Sequence, residues 1–269
     1  MKIINKKITI MALTKMGKST ICVAGIDESG QWIRPIREES KTGGKKRFLY
    51  PSDIWDKGKL LLDEGNVVTI SLGDYVPQLT HTEDWMYNFS SSPIFHEQLD
   101  GSRWDMFLKD NSETVLLPPD IYRQPGQSRT EDEIRDYFYR EKKSLMLIRP
   151  YSIDDFTFNA KTRFGGDRHN IKFCMDPNSS PIELPCTDLR WRALGKMLRD
   201  GDERQYFNYS TLAHILEVED FYFTIGLSRI DNIYKKNYVM VVGVHTIPRF
   251  NTISILGKTI KIRLKRNEL

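Results

Sequence analysis

Trp32 and Arg34 stand two residues apart in the apolar stretch from Ile21 to Ile36. The turn Asp27-Glu28-Ser29-Gly30 divides that stretch into two short runs, a pattern typical of a β-hairpin. Because side chains alternate along a strand, the indole ring and the guanidinium fall on one face. A ring can stack on a nucleobase, and a guanidinium can bind a phosphate. The same pair is also compatible with core packing, in which Arg34 would bind a carboxylate.

Further basic residues cluster around turns and along one helix. A polar turn follows the first predicted strand, and two loops each contain a Gly-Gly pair. These positions suit phosphate contacts, although a basic loop is also compatible with a merely solvated surface. The candidates for nucleic-acid binding, besides Trp32 and Arg34, are Lys18, Lys46, Arg47, Arg163, Arg168, His169 and Arg192.

Composition narrows the class of protein. With 39% hydrophobic and 28% charged residues in 269, the chain is expected to be globular rather than disordered. The net charge of +4 permits a polyanionic partner without requiring one. The N-terminal apolar run is short and interrupted by lysines, so we expect a first strand, no membrane span and a cytoplasmic protein. The three cysteines are far apart and have no histidine at ligand spacing, so we expect no metal and no cofactor.

Two helices and a duplicated β fold are predicted. The segment Ser128–Lys143 has a Thr130/Glu133 capping box and an apolar face, and a second helix begins at Thr187 or Asp188. A short helix is also expected to begin at Thr82. Short runs recur in both halves: Ile33-Arg34-Pro35 resembles Ile148-Arg149-Pro150, and TISLG resembles TIGLS. These repeats predict two domains, residues 1–142 and 143–269.

One coincidence suggests a metal-dependent nuclease. Pro119-Asp120 followed by Glu141-Lys142-Lys143 matches the PD...ExK sequence motif of a metal-dependent nuclease core. That chemistry needs its carboxylates and lysine on neighbouring strands, whereas Glu141 ends a predicted helix. We therefore do not expect this protein to be an enzyme, and a metal-dependent nuclease is kept as the enzymatic alternative.

The ordered set ICVAGI, GQWIRPI, HTEDW, SLMLIRP, TDLRWR and YFTIGLS resembles the dual OB-fold domain family of bacterial and archaeal proteins. The resemblance spans about Ile8 to Val244. It implies two consecutive OB-like barrels and a nucleic-acid-binding role, often in genes associated with defence against phages or mobile elements. It supplies no catalytic residues. Asp84, Trp85, Asp188 and Trp191 are expected to fix the fold.

The sequence therefore predicts a mostly β protein of two consecutive OB-like small barrels with a few connecting helices. Its expected function is a non-catalytic module that binds nucleic acid, single-stranded RNA or DNA in preference to duplex. An effector protein is a further expected partner. The alternative function is a protein-interaction or small-ligand-sensing subunit of an effector complex.

Overall fold

The described residues are mostly β, with 48% in strands and 22% in helices, and the contacts of the chain divide it into two compact units. The first unit extends to Asp100 and includes Lys142–Ser144; the second contains Gly101–Glu141 and Leu145–Arg263. No helix of the described residues is long and apolar enough to cross a membrane. The structure, a computed structural model, describes residues 2–15, 20–37, 48–56, 59–115, 131–160, 167–177, 180–230 and 236–250, and the backbone of 252–255 and 258–261.

The first unit is built around a closed five-stranded barrel. Its elements are β1 (Ile4–Lys15), β2 (Ile21–Asp27), β3 (Trp32–Ile36), α1 (Pro51–Ile54), β4 (Trp55–Asp56), β5 (Lys59–Leu60), β6 (Asn66–Tyr75), β7 (Asp84–Tyr87) and β8 (Ile94–Gln98). The barrel order is β1-β2-β3-β7-β6, and β1 also pairs with β6. β3 and β7 run parallel, while the other barrel pairs are antiparallel. This is the strand order of an OB-fold.

β1 closes the barrel because it is long enough to serve two neighbours. Residues Ile4–Thr9 pair with β6, and residues Ile8–Lys15 pair with β2. A bulge between Ile10 and Ala12 increases the bend of the strand. A Cβ atom at Gly25 of β2 would lie 2.5 Å from the Thr9 carbonyl oxygen, so this close approach of the two strands requires glycine.

The second unit repeats the same strand order. Its elements are α2 (Gly101–Asn111), α3 (Glu131–Glu141), β9 (Leu145–Ile148), β10 (Ser152–Asn159), β11 (Arg168–Cys174), β12 (Ile182–Cys186), α4 (Leu189–Arg199), β13 (Arg204–Asn208), α5 (Tyr209–Leu216), β14 (Asp220–Leu227), β15 (Val239–Ile247), β16 (Thr252–Ile255) and β17 (Lys258–Lys261). The order β10-β11-β12-β15-β14 matches the barrel of the first unit, and β12 and β15 form the corresponding parallel pair. β13 and β9 lie at the two edges of this sheet, and β16 pairs with β17 separately.

The first barrel strand is divided in the second unit. β9 pairs with β14, and β10 pairs with β11, as the two halves of β1 pair with β6 and β2. Arg149, Pro150 and Tyr151 form the corner between the two pieces. Proline has no backbone N–H to donate to a ladder, so the strand is interrupted where Pro150 stands.

Helix α4 packs on an aromatic core. Asp188 caps the helix by accepting a hydrogen bond from the Trp191 backbone N–H at 2.7 Å. The Trp191 ring is fully buried and lies 5.2 Å from Phe156 and 5.5 Å from Phe158, between ring centroids. A Cβ atom at Gly195 would lie 2.4 Å from a Phe158 ring carbon, so α4 approaches β10 closely because this position has no side chain.

The structure confirms most of the predicted elements. The hairpin is β2–β3, the two predicted helices are α3 and α4, and TISLG and TIGLS occupy equivalent strands, β6 and β14. The helix expected at Thr82 is wrong because Asp84–Tyr87 forms strand β7 beside β3 and β6. The two Ile-Arg-Pro runs are not equivalent, since one lies in β3 and the other spans the end of β9 and its corner. The domain limits 1–142 and 143–269 stay a prediction.

Candidate functional site

Arg34 lies in a buried ion-pair cluster of the first unit. Its Nε donates to Asp84 Oδ1 at 2.7 Å, and its Nη2 lies 2.6 Å from Asp84 and 3.1 Å from Glu83. Its Nη1 reaches the Ser144 hydroxyl at 3.4 Å, and the residue is 7% exposed. Burial alone would lower the pKa of Arg34, but Glu83 and Asp84 raise it above its usual range. The structure therefore argues against the predicted role of Arg34 as a phosphate ligand, because its guanidinium binds carboxylates that fix the barrel.

Trp32 begins strand β3 and is half-buried. It pairs with Ile26 of β2, one residue before Asp27. The Asp27 carboxylate fixes the hairpin turn by accepting hydrogen bonds at 3.0 Å from the backbone N–H groups of Ser29 and Gln31. The stacking role of Trp32 stays a prediction.

His169 is fully buried and lies on the core side of β11. Its ring centroid is 5.3 Å from that of Phe158, and neither ring nitrogen has a hydrogen-bond partner among the described residues. Burial lowers the pKa of His169 to about 4; nearby Asp167 opposes this effect, and Arg192, Arg199 and Lys196 add to it. The structure therefore argues against the predicted contact between His169 and nucleic acid, because the imidazole does not reach the surface.

The opposite side of the same strands forms an accessible polar face. Cα partners across a ladder share a face, so Arg204, Asn159 and Arg168 make one row across β13, β10 and β11. The next row on that face contains Tyr206, Thr157 and Asn170. β11 and β12 correspond to strands 2 and 3 of an OB-fold, whose outer face is the usual binding surface. We name the polar sheet face by its residues Arg168, Asn170, Asn159, Arg204 and Tyr206.

The polar sheet face has a basic end. Arg168 and Arg204 are exposed, and two strand spacings place their Cα atoms roughly 10 Å apart. Arg168 Nε donates to the Asn170 side chain at 3.3 Å, which orients the guanidinium along the sheet. Farther down the face, Lys172 lies 3.4 Å from Asp154, so its charge is locally compensated. A polyanion would therefore be attracted most strongly to the Arg168–Arg204 end.

Tyr206 supplies an aromatic surface beside these charges. The side chain is 58% exposed although it lies within strand β13. Its hydroxyl hydrogen-bonds to Asp155, and this contact raises the pKa of Tyr206. The hydrogen bond fixes one end of the ring, so the ring is held in place before any base stacks on it.

Helix α4 carries further charge at this end of β11, on the core side of the sheet. Lys196 is exposed and Arg192 is half-buried, with its Nη2 donating to the Asp167 carbonyl at 3.5 Å. Arg199 is 7% exposed, and its Nη2 lies 3.2 Å from the Asp167 carboxylate, so it holds the start of β11. Arg192 thus contacts the residue before Arg168, but from the side of the sheet opposite the polar sheet face. The candidates Lys18, Lys46, Arg47 and Arg163 lie outside the described residues.

Arg204 and Tyr206 are not among the binding residues predicted from the sequence. The signal was present in Arg204-Gln205-Tyr206-Phe207-Asn208, where polar or aromatic residues alternate with residues that turn toward the core. The run follows the turn Asp200-Gly201-Asp202, as an edge strand often does. Alternation over only five residues was too short to be recognised beside the longer strands.

The nuclease alternative has little geometric support. Glu141 ends helix α3 rather than lying on a strand, and Asp120 lies outside the described residues. The described part of the chain contains no group of three or more His, Cys, Asp or Glu residues that could hold a metal ion.

Comparison with known proteins agrees with the barrel geometry. The family model of the dual OB-containing domain (DuOB) matches residues 6–244, nearly the whole chain. No curated protein matches the sequence. The matched region includes nearly all of the closed barrel of the first unit and of the equivalent strands of the second. The chain therefore belongs to the dual OB-containing domain family.

Proposed function

We propose that this protein is a non-catalytic module that binds single-stranded nucleic acid on the polar sheet face of its second unit. The observation that supports this proposal is the row of Arg204, Asn159 and Arg168 beside the exposed Tyr206 ring. Guanidinium groups bind phosphates, and an aromatic ring stacks on any base. The open sheet suits unstacked bases, which a duplex does not offer, so we expect single strands to bind more tightly than duplex.

The decisive measurement is fluorescence anisotropy with labelled single-stranded RNA, single-stranded DNA and duplex of equal length, each titrated across a range of salt. For single strands, the logarithm of affinity falls with the logarithm of salt by about 0.7 per phosphate contact. The variant Arg168→Ala/Arg204→Ala should therefore reduce that slope by about 1.4. The matched control Lys109→Ala/Arg140→Ala removes two exposed charges from helices α2 and α3 and should leave the slope unchanged.

Tyr206 is tested separately because stacking does not depend on salt. Tyr206→Ala should weaken binding by about 1–3 kcal/mol, equivalent to roughly 5-fold to 150-fold in Kd, with the salt slope preserved. Tyr206→Phe keeps the ring and loses the hydrogen bond to Asp155, so most of the affinity should remain. Wild-type affinity in both Tyr206→Ala and Arg168→Ala/Arg204→Ala would remove the polar sheet face from the proposal.

We also propose a biological setting for this binding. We infer a cytoplasmic protein that acts in defence against phages or mobile elements, together with an effector protein. The family resemblance alone supports this setting. A plaque assay in a host that carries the intact gene or the Arg168→Ala/Arg204→Ala variant tests it, and equal protection by the two would separate defence from nucleic-acid binding.

A second candidate function is docking of a protein partner, favoured by strand β8. This strand lies at the edge of the six-stranded sheet, and its Ile94 and Phe95 side chains are 60% and 48% exposed. An unpaired strand edge with apolar side chains can accept a further strand. Apolar association changes little with salt, so titration in salt distinguishes this function from phosphate binding.

A further inference from the structure

A cavity of about 670 Å³ opens in the second unit at the corner between β9 and β10. It lies at the far end of β10 from the polar sheet face: the seven residue steps from Ser152 to Asn159 span roughly 23 Å. Its volume falls within the range of small-molecule sites. The lining includes Arg149, Pro150, Tyr151, Met175, Tyr209 and Glu219.

The corner itself creates this space. In the first unit the equivalent strand β1 is continuous from Ile4 to Lys15, whereas in the second unit the chain leaves the sheet after Ile148 and rejoins it at Ser152. The Tyr151 backbone N–H donates to the Cys174 carbonyl at 2.9 Å, which fixes the end of the corner against β11. The three corner residues thereby become one wall of the cavity.

The walls combine aromatic and apolar surface. Tyr151 is 64% exposed and presents its ring at the rim, while Ile153 and Met175 supply apolar surface. Tyr209 is the first residue of helix α5, and its hydroxyl donates to the Glu219 carbonyl at 2.9 Å. This bond holds the Tyr209 ring in place. Such walls bind the apolar body of a ligand and also attract a cation through the faces of the rings.

The charge of the lining selects the sign of the ligand. Arg149, the cation of the lining, lies 2.7 Å from Asp220 and is neutralised by it. Two more acidic residues, Asp176 and Glu219, also belong to the lining, so acidic residues outnumber the basic one by three to one. Burial raises the pKa of Tyr209, and the nearby Asp220 raises it further, whereas Arg149 lowers it.

We propose that this cavity binds an organic ammonium ion, with the ammonium group near Asp176 and Glu219 and its apolar body against Tyr151 and Met175. The proposal is independent of nucleic-acid binding. The same chemistry is available from a free aliphatic amine or from a lysine side chain of a peptide, and the cavity volume accommodates either.

Isothermal titration calorimetry of the nucleic-acid-free full chain tests the proposal with spermidine, choline, a short peptide containing one lysine, and inorganic phosphate. We expect at least one ammonium probe to bind with Kd below about 1 mM, and phosphate not to bind. Spermidine or choline binding without peptide binding indicates a free amine, and the reverse indicates a peptide. Heat from phosphate alone, or from no probe, would overturn the proposal.

Variants connect the binding to the cavity. Asp176→Asn/Glu219→Gln preserves side-chain shape and should weaken the ammonium probe at least 10-fold, whereas Tyr151→Leu should weaken it less. The matched control Asp132→Asn/Glu141→Gln neutralises two exposed carboxylates of helix α3 and should leave Kd unchanged. Equal affinity in Asp176→Asn/Glu219→Gln and wild type would refute the site. Nucleic-acid affinity, measured in parallel, should not change in any of these variants.

Discussion

Removing the Arg34 guanidinium should destabilise the first barrel severely. Arg34 joins β3 to Asp84 of β7 through two contacts of 2.6 and 2.7 Å, and Asp84 is 0% exposed. In Arg34→Ala the carboxylates of Asp84 and Glu83 remain buried without their shared cation. Breaking a buried ion pair in this way costs about 3–5 kcal/mol. That is a large part of the roughly 5–15 kcal/mol that stabilises a typical domain.

Differential scanning calorimetry of the full chain measures the effect. For a unit of about 100 residues, 1 kcal/mol corresponds to a shift of about 4–8 °C, so Arg34→Ala should lower Tm of the first-unit transition by at least about 12 °C. Lys7→Ala is the control because Lys7 and Glu28 form a pair at 3.1 Å that is exposed on both sides. Its loss should change stability by less than about 1 kcal/mol.

Two results would refute this reasoning. The first is a loss in Arg34→Ala no larger than that in Lys7→Ala, which would mean that the buried carboxylates are relieved by water or by rearrangement. The second is full stability combined with weaker nucleic-acid binding, which would restore Arg34 as a phosphate ligand. Arg34→Lys separates charge from geometry, since lysine keeps the charge but cannot reproduce the two-pronged contact with Asp84. It should lie between wild type and Arg34→Ala.

Three further predictions concern the second unit. The pKa of His169 is about 4 in the folded chain and about 6.5 in an unfolded one, so between these pH values only the unfolded chain takes up the proton. The free energy of unfolding should therefore fall by about 3 kcal/mol as pH decreases across this window. Urea titrations of wild type and His169→Leu should diverge there, and parallel curves for the two proteins would contradict this prediction. Gly195→Ala is usually a favourable change in a helix, but here it should destabilise the second unit by about 1–3 kcal/mol because the new Cβ overlaps the Phe158 ring. Thermal unfolding measures the effect, and an unchanged or higher Tm would show that the Phe158 ring moves aside. Asp188→Ala should lower the free energy of unfolding in urea by about 1–2 kcal/mol, because the Asp188 carboxylate accepts the hydrogen bond of the Trp191 backbone N–H at the start of α4. A loss of only a few tenths of a kcal/mol would mean that another group caps α4.

The sequence predicted the fold better than the site. Strand alternation and the hairpin turn follow from local physics, so β2 and β3 could be recognised directly from the stretch that contains Trp32. Asp188 and Trp191 are indeed fixed elements of the fold, as cap and buried ring. The pairing of β3 with β7 depends on residues about 50 positions apart, which no local pattern reports, and the helix expected at Thr82 failed for that reason.

The site was harder to predict because charge alone does not reveal burial. Arg34 and Arg168 look equally suited to phosphate in the sequence, yet one is bound by buried carboxylates and the other is exposed. His169 and Arg168 are neighbours in sequence, but a strand sends neighbouring side chains to opposite faces. Which face is the core was decided by α4, whose Gly195 leaves room for His169. Such choices require the tertiary contacts of elements that are distant in sequence.

The double pairing of β1 also affects how the chain emerges during synthesis. Its later half can pair with β2 almost at once, but Thr9 must wait for Val67, and Ile4 for Leu72. At roughly 5–20 residues per second, a delay of about 60 residues lasts roughly 3–12 s. Throughout that interval one edge of the nascent hairpin stays open to other chains. Lys6 and Lys7 lie on the part of β1 that later pairs with β6, and charged side chains on an exposed strand edge discourage association between neighbouring nascent chains.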